Sequence, residues 1–386
     1  MLKIPNKTEY VVNTLIKNGH EAYIVGGCVR DMLLGKVPFD YDVTTSATPE
    51  KIVSLFEKTV PTGIKHGTVT VIIDKEPIEV TTFRKDGGYT DNRHPKNVTF
   101  VTSLREDLAR RDFTVNAMAF NINSGLKDFF CGKEDLENKV LRAVGDPEKR
   151  FSEDALRILR LFRFASVLNF KIEENTLNAA IKLSENLKTI SRERIAVELK
   201  KAVLGENLSA LTPLISSNGL SFLGVTKMPD YKIIKKCNHN EKLAMFCFFY
   251  LSDCDILNLP HELKLSNDYK LYFEKMYRLC KLNIPTTKTE IKILLKDYSI
   301  GVFKEFLEFK SFQGFDTEKQ GVMLTEILEN NEPYLLSQLK ICGKDLENIG
   351  FKGKEIGEIL EKLRIAVCEN PQKNTHKSLT KIIENL

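Results

Sequence analysis

The sequence has little of what staples, anchors or extends a chain. No C-x-x-C pair occurs among its eight cysteines (Cys28, Cys131, Cys237, Cys247, Cys254, Cys280, Cys342 and Cys368), and MLKIPNKTEY carries no apolar signal core, so we expect reduced thiols and a cytoplasmic location. The longest unbroken apolar run, Leu243 to Leu251, has nine residues, about half of the ~18 that suggest a membrane span. It reads as a buried helix. Cys237 and His239 are close in sequence, but no second pair follows at zinc-finger spacing, so buried free cysteine is the better reading. No fixed-period repeat or low-complexity tract appears, which argues against a solenoid. Charge of one sign is also scarce: 57 Lys and Arg against 52 Asp and Glu leave +5, which permits a polyanionic partner without demanding one.

What remains is an ordinary globular composition, 42% hydrophobic and 28% charged, over 386 residues. At roughly 150 residues per domain, that length suggests two or three domains. The first ~130 residues alternate a helical stretch (Glu9 to Asn18) with strand-like runs, AYIVGG, FDYDVTT, GTVTVII and PIEVTTF. From Ser152 onward the apolar spacing is helical. The main boundary falls near Asp146-Pro147, with Ser152 expected to cap the next helix, and weaker breaks fall near Leu204-Gly205 and in 283–290. The expected fold is α+β: a mixed β-sheet head (1–145), then all-helical segments at 146–206, 207–282 and 283–386.

The densest chemical signal is IVGGCVRDMLLGKVPFDYDVT, Ile24 to Thr44. Alternation along a strand puts Asp40 and Asp42 on one face, where they can share hard divalent cations. The Gly26-Gly27 turn removes Cβ bulk, so backbone N–H groups can approach phosphate oxygens beside Arg30. A lone Gly-Gly or D-x-D is usually an ordinary turn or an exposed acidic strand. Together they describe a seat for a nucleoside triphosphate. Glu79, in IEVTTFR, is a candidate third carboxylate for taking a proton or placing a second metal, and equally a solvent-facing residue of an edge strand.

Further along, LARRDFTVNAMA offers Arg110 and Arg111 for phosphates, and Asp112 and Asn116 for ribose hydroxyls, on a turn leading into a helix. Taken alone, adjacent arginines are more often surface charge. In SEDALRILRLFRFASVL, Ala155, Ile158, Leu159, Phe162 and Ala165 share one helical face, with Asp154, Arg157, Arg160 and Arg163 on the other. Solvated arginines are the simple reading, but they do not explain an arginine at every third position among apolar neighbours. Cytosine and adenine present an exocyclic amine beside an unprotonated ring nitrogen. A carboxylate accepting from the amine and a guanidinium donating to the nitrogen match both bases and mismatch uracil and guanine. Asp154 and Arg157, one turn apart, are suited to this reading.

In this order, GGCVRD, FDYD, RRDFTVNA and EDALRILRLFRF resemble the class II nucleotidyltransferases, most closely the bacterial CCA-adding enzymes that build and repair transfer RNA 3′ ends. The resemblance is specific from about Glu21 to Ala165. It implies Mg2+, two ions, at Asp40 and Asp42; triphosphate held by Gly27 and Arg30; ribose and phosphate recognised by Arg111 and Asp112; and CTP then ATP selected by Asp154 and Arg157, with Arg160 and Arg163 as further contacts. It names the segments head, neck, body and tail, and implies transfer RNA as partner, with neither DNA nor membrane. A flexible loop of the family matches DGGYTDNRHP, Asp86 to Pro95, through Asp86, Gly87, Tyr89, Asp91 and Arg93, with His94 where Arg is common. Bacterial poly(A) polymerases share the head motifs, but the compact length and lack of a long basic extension disfavour them; relatives adding only CC have a shortened loop. An inactive RNA-binding protein on the same scaffold would have no use for two acids facing a polyanion. A phosphohydrolase would want clustered histidines, and the six here are dispersed.

Overall fold

The computed structural model describes residues 3–87 and 98–385. The chain divides into two compact units, Met1–Pro229 and Asp230–Leu386.

The first unit opens with α1 (Asn6–Lys17), β1 (Ala22–Val25), α2 (Gly27–Leu33), β2 (Val43–Thr45), α3 (Pro49–Leu55), β3 (Thr59–Gly63), β4 (Thr68–Ile73) and β5 (Glu76–Thr82). A short ribbon follows, β6 (Arg84–Asp86) paired antiparallel with β7 (Val98–Phe100), then α4 (Leu104–Ala109), β8 (Met118–Asn121) and β9 (Gly125–Asp128). Seven strands form one mixed sheet in the order β3-β4-β5-β2-β1-β8-β9. Val, Ile and Thr dominate its centre, as expected of strands buried on both faces. The β2–β5 pair is parallel, with Val43 opposite Val80. That register brings the residue before β2, Asp42, level with Glu79.

This corrects two expectations. The strand begins at Val43, so Asp40 and Asp42 lie on the segment entering it rather than within it. The ladder nevertheless already reaches Asp42, whose carbonyl accepts from Val25 N–H at 3.0 Å. In addition, β5 sits between β4 and β2, which removes the edge-strand reading of Glu79.

The unit continues with α5 (Gly132–Glu137), β10 (Val140–Leu141), α6 (Pro147–Glu153), α7 (Leu156–Leu168), β11 (Lys171–Ile172), α8 (Glu174–Lys182), α9 (Arg192–Val203) and α10 (Thr212–Ser216). The expected cap at Ser152 is displaced. Asp146 caps α6, accepting from the Glu148 and Lys149 N–H groups with Pro147 in the first turn, a start that Pro and Asp favour strongly. The Ser152 hydroxyl instead donates back to the Glu148 carbonyl. The helix then breaks at Asp154 (φ −142°, ψ 103°) before α7 begins. The break takes Asp154 out of the helical ladder and gives its side chain a direction that no uninterrupted helix would.

The second unit, as described, is helical: α11 (Tyr231–Lys236), α12 (Glu241–Leu251), α13 (Leu259–Glu262), α14 (Asn267–Lys281), α15 (Lys288–Asp297), α16 (Ile300–Phe312), α17 (Glu318–Glu329), α18 (Gly343–Ile349), α19 (Lys354–Glu369) and α20 (His376–Ile383). The apolar run Leu243–Leu251 falls in α12. There Phe246 meets Phe273 and Phe309 edge-on at 5.6 and 5.9 Å, the geometry aromatic quadrupoles favour. Cys237 is buried in this unit, its sulfur 3.5 Å from that of Cys247, while His239 faces Glu308. Among the described residues, no helix is long and apolar enough to cross a membrane.

Candidate active site

The D-x-D acids open onto a concavity of about 670 Å3 built by α1, the Phe39–Asp42 segment, β4 and β5, and Asp40, Asp42 and Glu79 all line it. Asp42 is solvent-exposed at the mouth of this concavity, yet desolvation by the walls beside it, then the negative charge of Asp40, pushes its carboxyl up to about 6; Arg111 opposes the rise and Glu79 adds to it. The two carboxylates of the D-x-D pair, with a surplus of negative charge beside them, fit a divalent cation. Among the described residues, no group of three His, Cys, Asp or Glu side chains is placed to hold a metal ion, so Glu79 does not join the D-x-D pair as a third ligand. That suits a small hard ion that completes its shell with water and substrate phosphate.

On the other side of Asp42 lies the glycine turn. Gly26 adopts φ +82°, and a Cβ there would stand 2.8 Å from Arg111 Nη1. Glycine therefore serves both the backbone conformation and the close approach of Arg111. Arg111 sits 3.8 Å from the fully buried Asp107 carboxylate, and its buried Nε has no hydrogen-bond partner. A desolvated guanidinium with an unused donor is ready for an anionic ligand. Arg110 is tied to Asp107 at 2.8 Å, so this Arg-Arg pair is not loose surface charge. Arg30, also buried, donates to Asp31 at 2.8 Å and to Asn116 Oδ1 at 2.6 Å.

Asp112 and Asn116 do not lead into a helix as expected. Asp112 lies two residues before a single 3-10 turn, Thr114–Asn116, which Asn116 ends and which runs into β8. One Asp112 oxygen accepts from the Phe113 N–H and Asn116 Nδ2; the other takes both Nε and Nη2 of Arg160, at 2.9 and 2.7 Å. Burial would raise this carboxyl, but Arg160 and the hydrogen bonds outweigh it and hold Asp112 down at about 2.

The arginines of α7 are half-buried and paired rather than freely solvated. Arg160 and Arg163 share Glu198 of α9, at 3.1 and 2.9 Å, and the Phe164 ring lies among the guanidiniums of Arg163, Arg30 and Arg160 at 3.5, 5.1 and 5.4 Å. Burial takes Arg163 down to about 10 despite Glu198. The apolar face predicted for α7 is buried as drawn, but Leu161 and Phe164 are buried too, so the helix is enclosed on more than one side.

The structure does not join Asp154 and Arg157 through their side chains. Asp154 pairs with Arg194 at 2.8 Å and accepts from Leu156 N–H, whereas Arg157 pairs with Glu153 at 2.8 Å and donates to the carbonyls of Arg150 and Arg110. Arg194, Glu198, Asp107, Glu153 and Phe164 were missed from sequence. Glu198 and Asp107 were findable, because each is an acid on the buried stripe of its helix, beside Ile195 and Ala202 and beside Leu104 respectively. Of the loop residues, Asp86 and Gly87 end the β6 side, and Tyr89, Asp91 and Arg93 lie outside the described residues.

Comparison with known proteins agrees with this geometry. The poly A polymerase head domain matches residues 22–142, and a probable RNA- and SrmB-binding site of polymerase A matches 169–220. The CCA-adding enzyme of Staphylococcus epidermidis is 34% identical over 97% of this chain and 96% of its own length; that of Lactococcus lactis subsp. cremoris is 38% identical over 94% and 92%. The crystal structure of the Bacillus stearothermophilus CCA-adding enzyme in complex with CTP superposes with a TM-score of 0.83 at 29% identity, covering 98% of this chain and 96% of that one. With an acid-lined concavity on one side of Asp42, an arginine cluster on the other, and kinship along nearly its whole length, the chain belongs to the CCA-adding enzyme family.

Proposed function

We infer that this protein adds C, C and A to the 3′ end of transfer RNA from CTP and ATP, without a nucleic-acid template and with release of pyrophosphate. The observation that carries the reading is the division at Asp42: carboxylates lining one concavity on one side, an arginine with an unused donor on the other. Nucleotidyl transfer needs both, a cation-binding face for the reacting oxygens and a cationic face for the leaving group.

We assign Mg2+, two ions, to Asp40 and Asp42; when bound, it supplies charge neutralisation and a more acidic 3′-hydroxyl. Arg111 and Arg30, beside Gly26 and Gly27, orient the triphosphate. Asp112, kept ionised by Arg160, and Asn116 present oxygens toward ribose hydroxyls. Glu79 is the candidate proton acceptor, level with Asp42 across the parallel pair. Asp154 and Arg157 read the base edge, with Arg160 and Arg163 behind them; reading requires Asp154 to share its carboxylate with Arg194. The loop Asp86 to Pro95 reshapes this pocket between C and A. In this division the head (1–145) does chemistry, the neck (146–206) selects the nucleotide, and the body (207–282) and tail (283–386) hold the acceptor arm by shape and phosphate contacts, in the cytoplasm.

The test is incubation with a transfer RNA lacking its last three nucleotides, with each triphosphate singly and then with CTP plus ATP. Addition that stops after CCA supports the reading. A long A tail or a stop after CC assigns the protein to a relative's activity instead.

A further inference from the structure

Between α2 and β2 the chain exposes two apolar side chains almost completely: Val37 is 92% and Phe39 103% accessible, while Pro38 between them is buried. A buried proline fixes the backbone, so the phenylalanine is held outward at a set place. Isolated apolar residues on a surface are common, but a fully bared aromatic ring directly preceding a candidate catalytic acid is not idle surface. Phe39 lines the same concavity as Asp40, Asp42 and Glu79.

The composition of that concavity decides what the ring meets. Its walls come from α1, β4, β5 and the Phe39–Asp42 segment; the Gly26 turn, Arg30, Arg111 and α7 contribute nothing to it. The leaving pyrophosphate belongs with the arginines. In an in-line displacement the attacking oxygen stands opposite the leaving oxygen, so the acceptor hydroxyl arrives from the Phe39 side. A second concavity of about 450 Å3 shares Pro5 and Tyr41 with the first and carries Lys3 and Lys36, positive charge along the path that the preceding phosphates would take.

Resting on the function inferred above, we propose that Phe39 is the stacking platform for the base of the RNA 3′-terminal nucleotide, the one whose hydroxyl attacks. The incoming nucleotide is read elsewhere, by hydrogen bonds. A ring stacks on any base, and an acceptor end that changes identity after each addition calls for a contact indifferent to sequence. Phe39 is a positioning residue: it touches the acceptor base and sets the hydroxyl over the carboxylates.

The test uses the full chain and a transfer RNA lacking CCA, with 2-aminopurine as its terminal base. Phe39→Ala should raise the KM for RNA roughly tenfold, a typical loss for one base–aromatic stack, while leaving the KM for CTP unchanged; Phe39→Trp should restore the RNA KM. The 2-aminopurine fluorescence should be quenched on binding the wild type and Phe39→Trp, and less so on binding Phe39→Ala. Because the ring is solvent-exposed, all variants should melt together. An unchanged RNA KM and unchanged quenching in Phe39→Ala overturn the proposal, as does an equal rise in the KM for CTP, which would put the ring on the incoming nucleotide. Failure of the wild type to extend the RNA would defeat the functional reading instead, and the quenching arm, which needs no turnover, would still decide the stacking.

Discussion

Both units bury charged side chains, but they use them differently. In the second unit Lys292, 2% exposed, is closed by Glu332 at 2.8 Å, which also takes Lys288; Arg364, equally buried, is closed by Glu361, which also takes Lys296. Both of these buried cations are paired within the protein. In the first unit, pairing around Asp112, Arg160 and Glu198 is just as tight, yet charge is left over at its margin: Arg111 keeps an unused Nε donor, and the Asp42 carboxyl is pushed up by desolvation and then by the acids beside it. Buried pairs contribute little net stability, but breaking one is costly. We read the closed pairs as scaffold, and the charge left over beside Asp42, where acids and Arg111 meet, as the place where a ligand completes the set.

The largest expected effect tests the acid side. Asp40→Ala should cost roughly a thousandfold or more in nucleotide incorporation, the several kcal/mol that a held metal supplies, with RNA binding nearly intact by filter retention. Retained turnover removes the metal assignment.

The comparison itself is sharpened by a matched pair. Glu198→Ala leaves Arg163 without its carboxylate and Arg160 with Asp112 alone; Glu332→Ala strands Lys292. Each should lose about 3–5 kcal/mol in denaturant unfolding. Only Glu198→Ala should also raise the KM for CTP and ATP. If Glu332→Ala raises it equally, the division into scaffold and site is wrong.

A smaller effect follows from Asp112. Its carboxyl is held at about 2 in the folded protein, against ~3.9 when unfolded. The unfolded chain therefore binds the proton first, and the contribution, about 3 kcal/mol, is complete above pH ~5 and lost as pH falls through 2. Asp112→Asn should flatten stability against pH in that window; an unchanged profile denies the Arg160 pairing.

The smallest effect concerns base choice. Asp154→Ala or Arg157→Ala should each forfeit about 1–3 kcal/mol of discrimination for C and A over U and G, measured by competing triphosphates, while phosphodiester formation survives. Variants that discriminate as well as the wild type remove these residues from base reading.

Much of this was legible because it follows from local rules. The Gly26 turn and the apolar face of α7 stand where the pattern put them, and of the side chains that the motifs nominated, Asp40, Glu79 and Arg111 lie close enough to Asp42 to shift its carboxyl. What was illegible depended on long-range pairing. Nothing near Asp40 or Asp42 said that the strand would wait until Val43, because that start is set by β1 and β5. Ser152 lost its capping role to Asp146 six residues earlier, where an acid followed by proline nucleates better. Glu198 and Arg194, on α9, close on Arg160, Arg163 and Asp154 from about 40 positions away, a distance over which no motif reads. Nothing in the sequence singled out Phe39, because the exposure of its ring is set by the folded segment between α2 and β2.

The central claim, that charge left over at Asp42 is the mark of a site rather than of scaffold, is tested most directly by one variant measured two ways without added metal and with it. Asp42→Asn removes a carboxylate that the fold holds against neighbouring acids, so the metal-free protein should melt higher than the wild type at pH 7, while CTP incorporation with Mg2+ present is abolished. A variant that melts lower and still incorporates CTP would contradict the account.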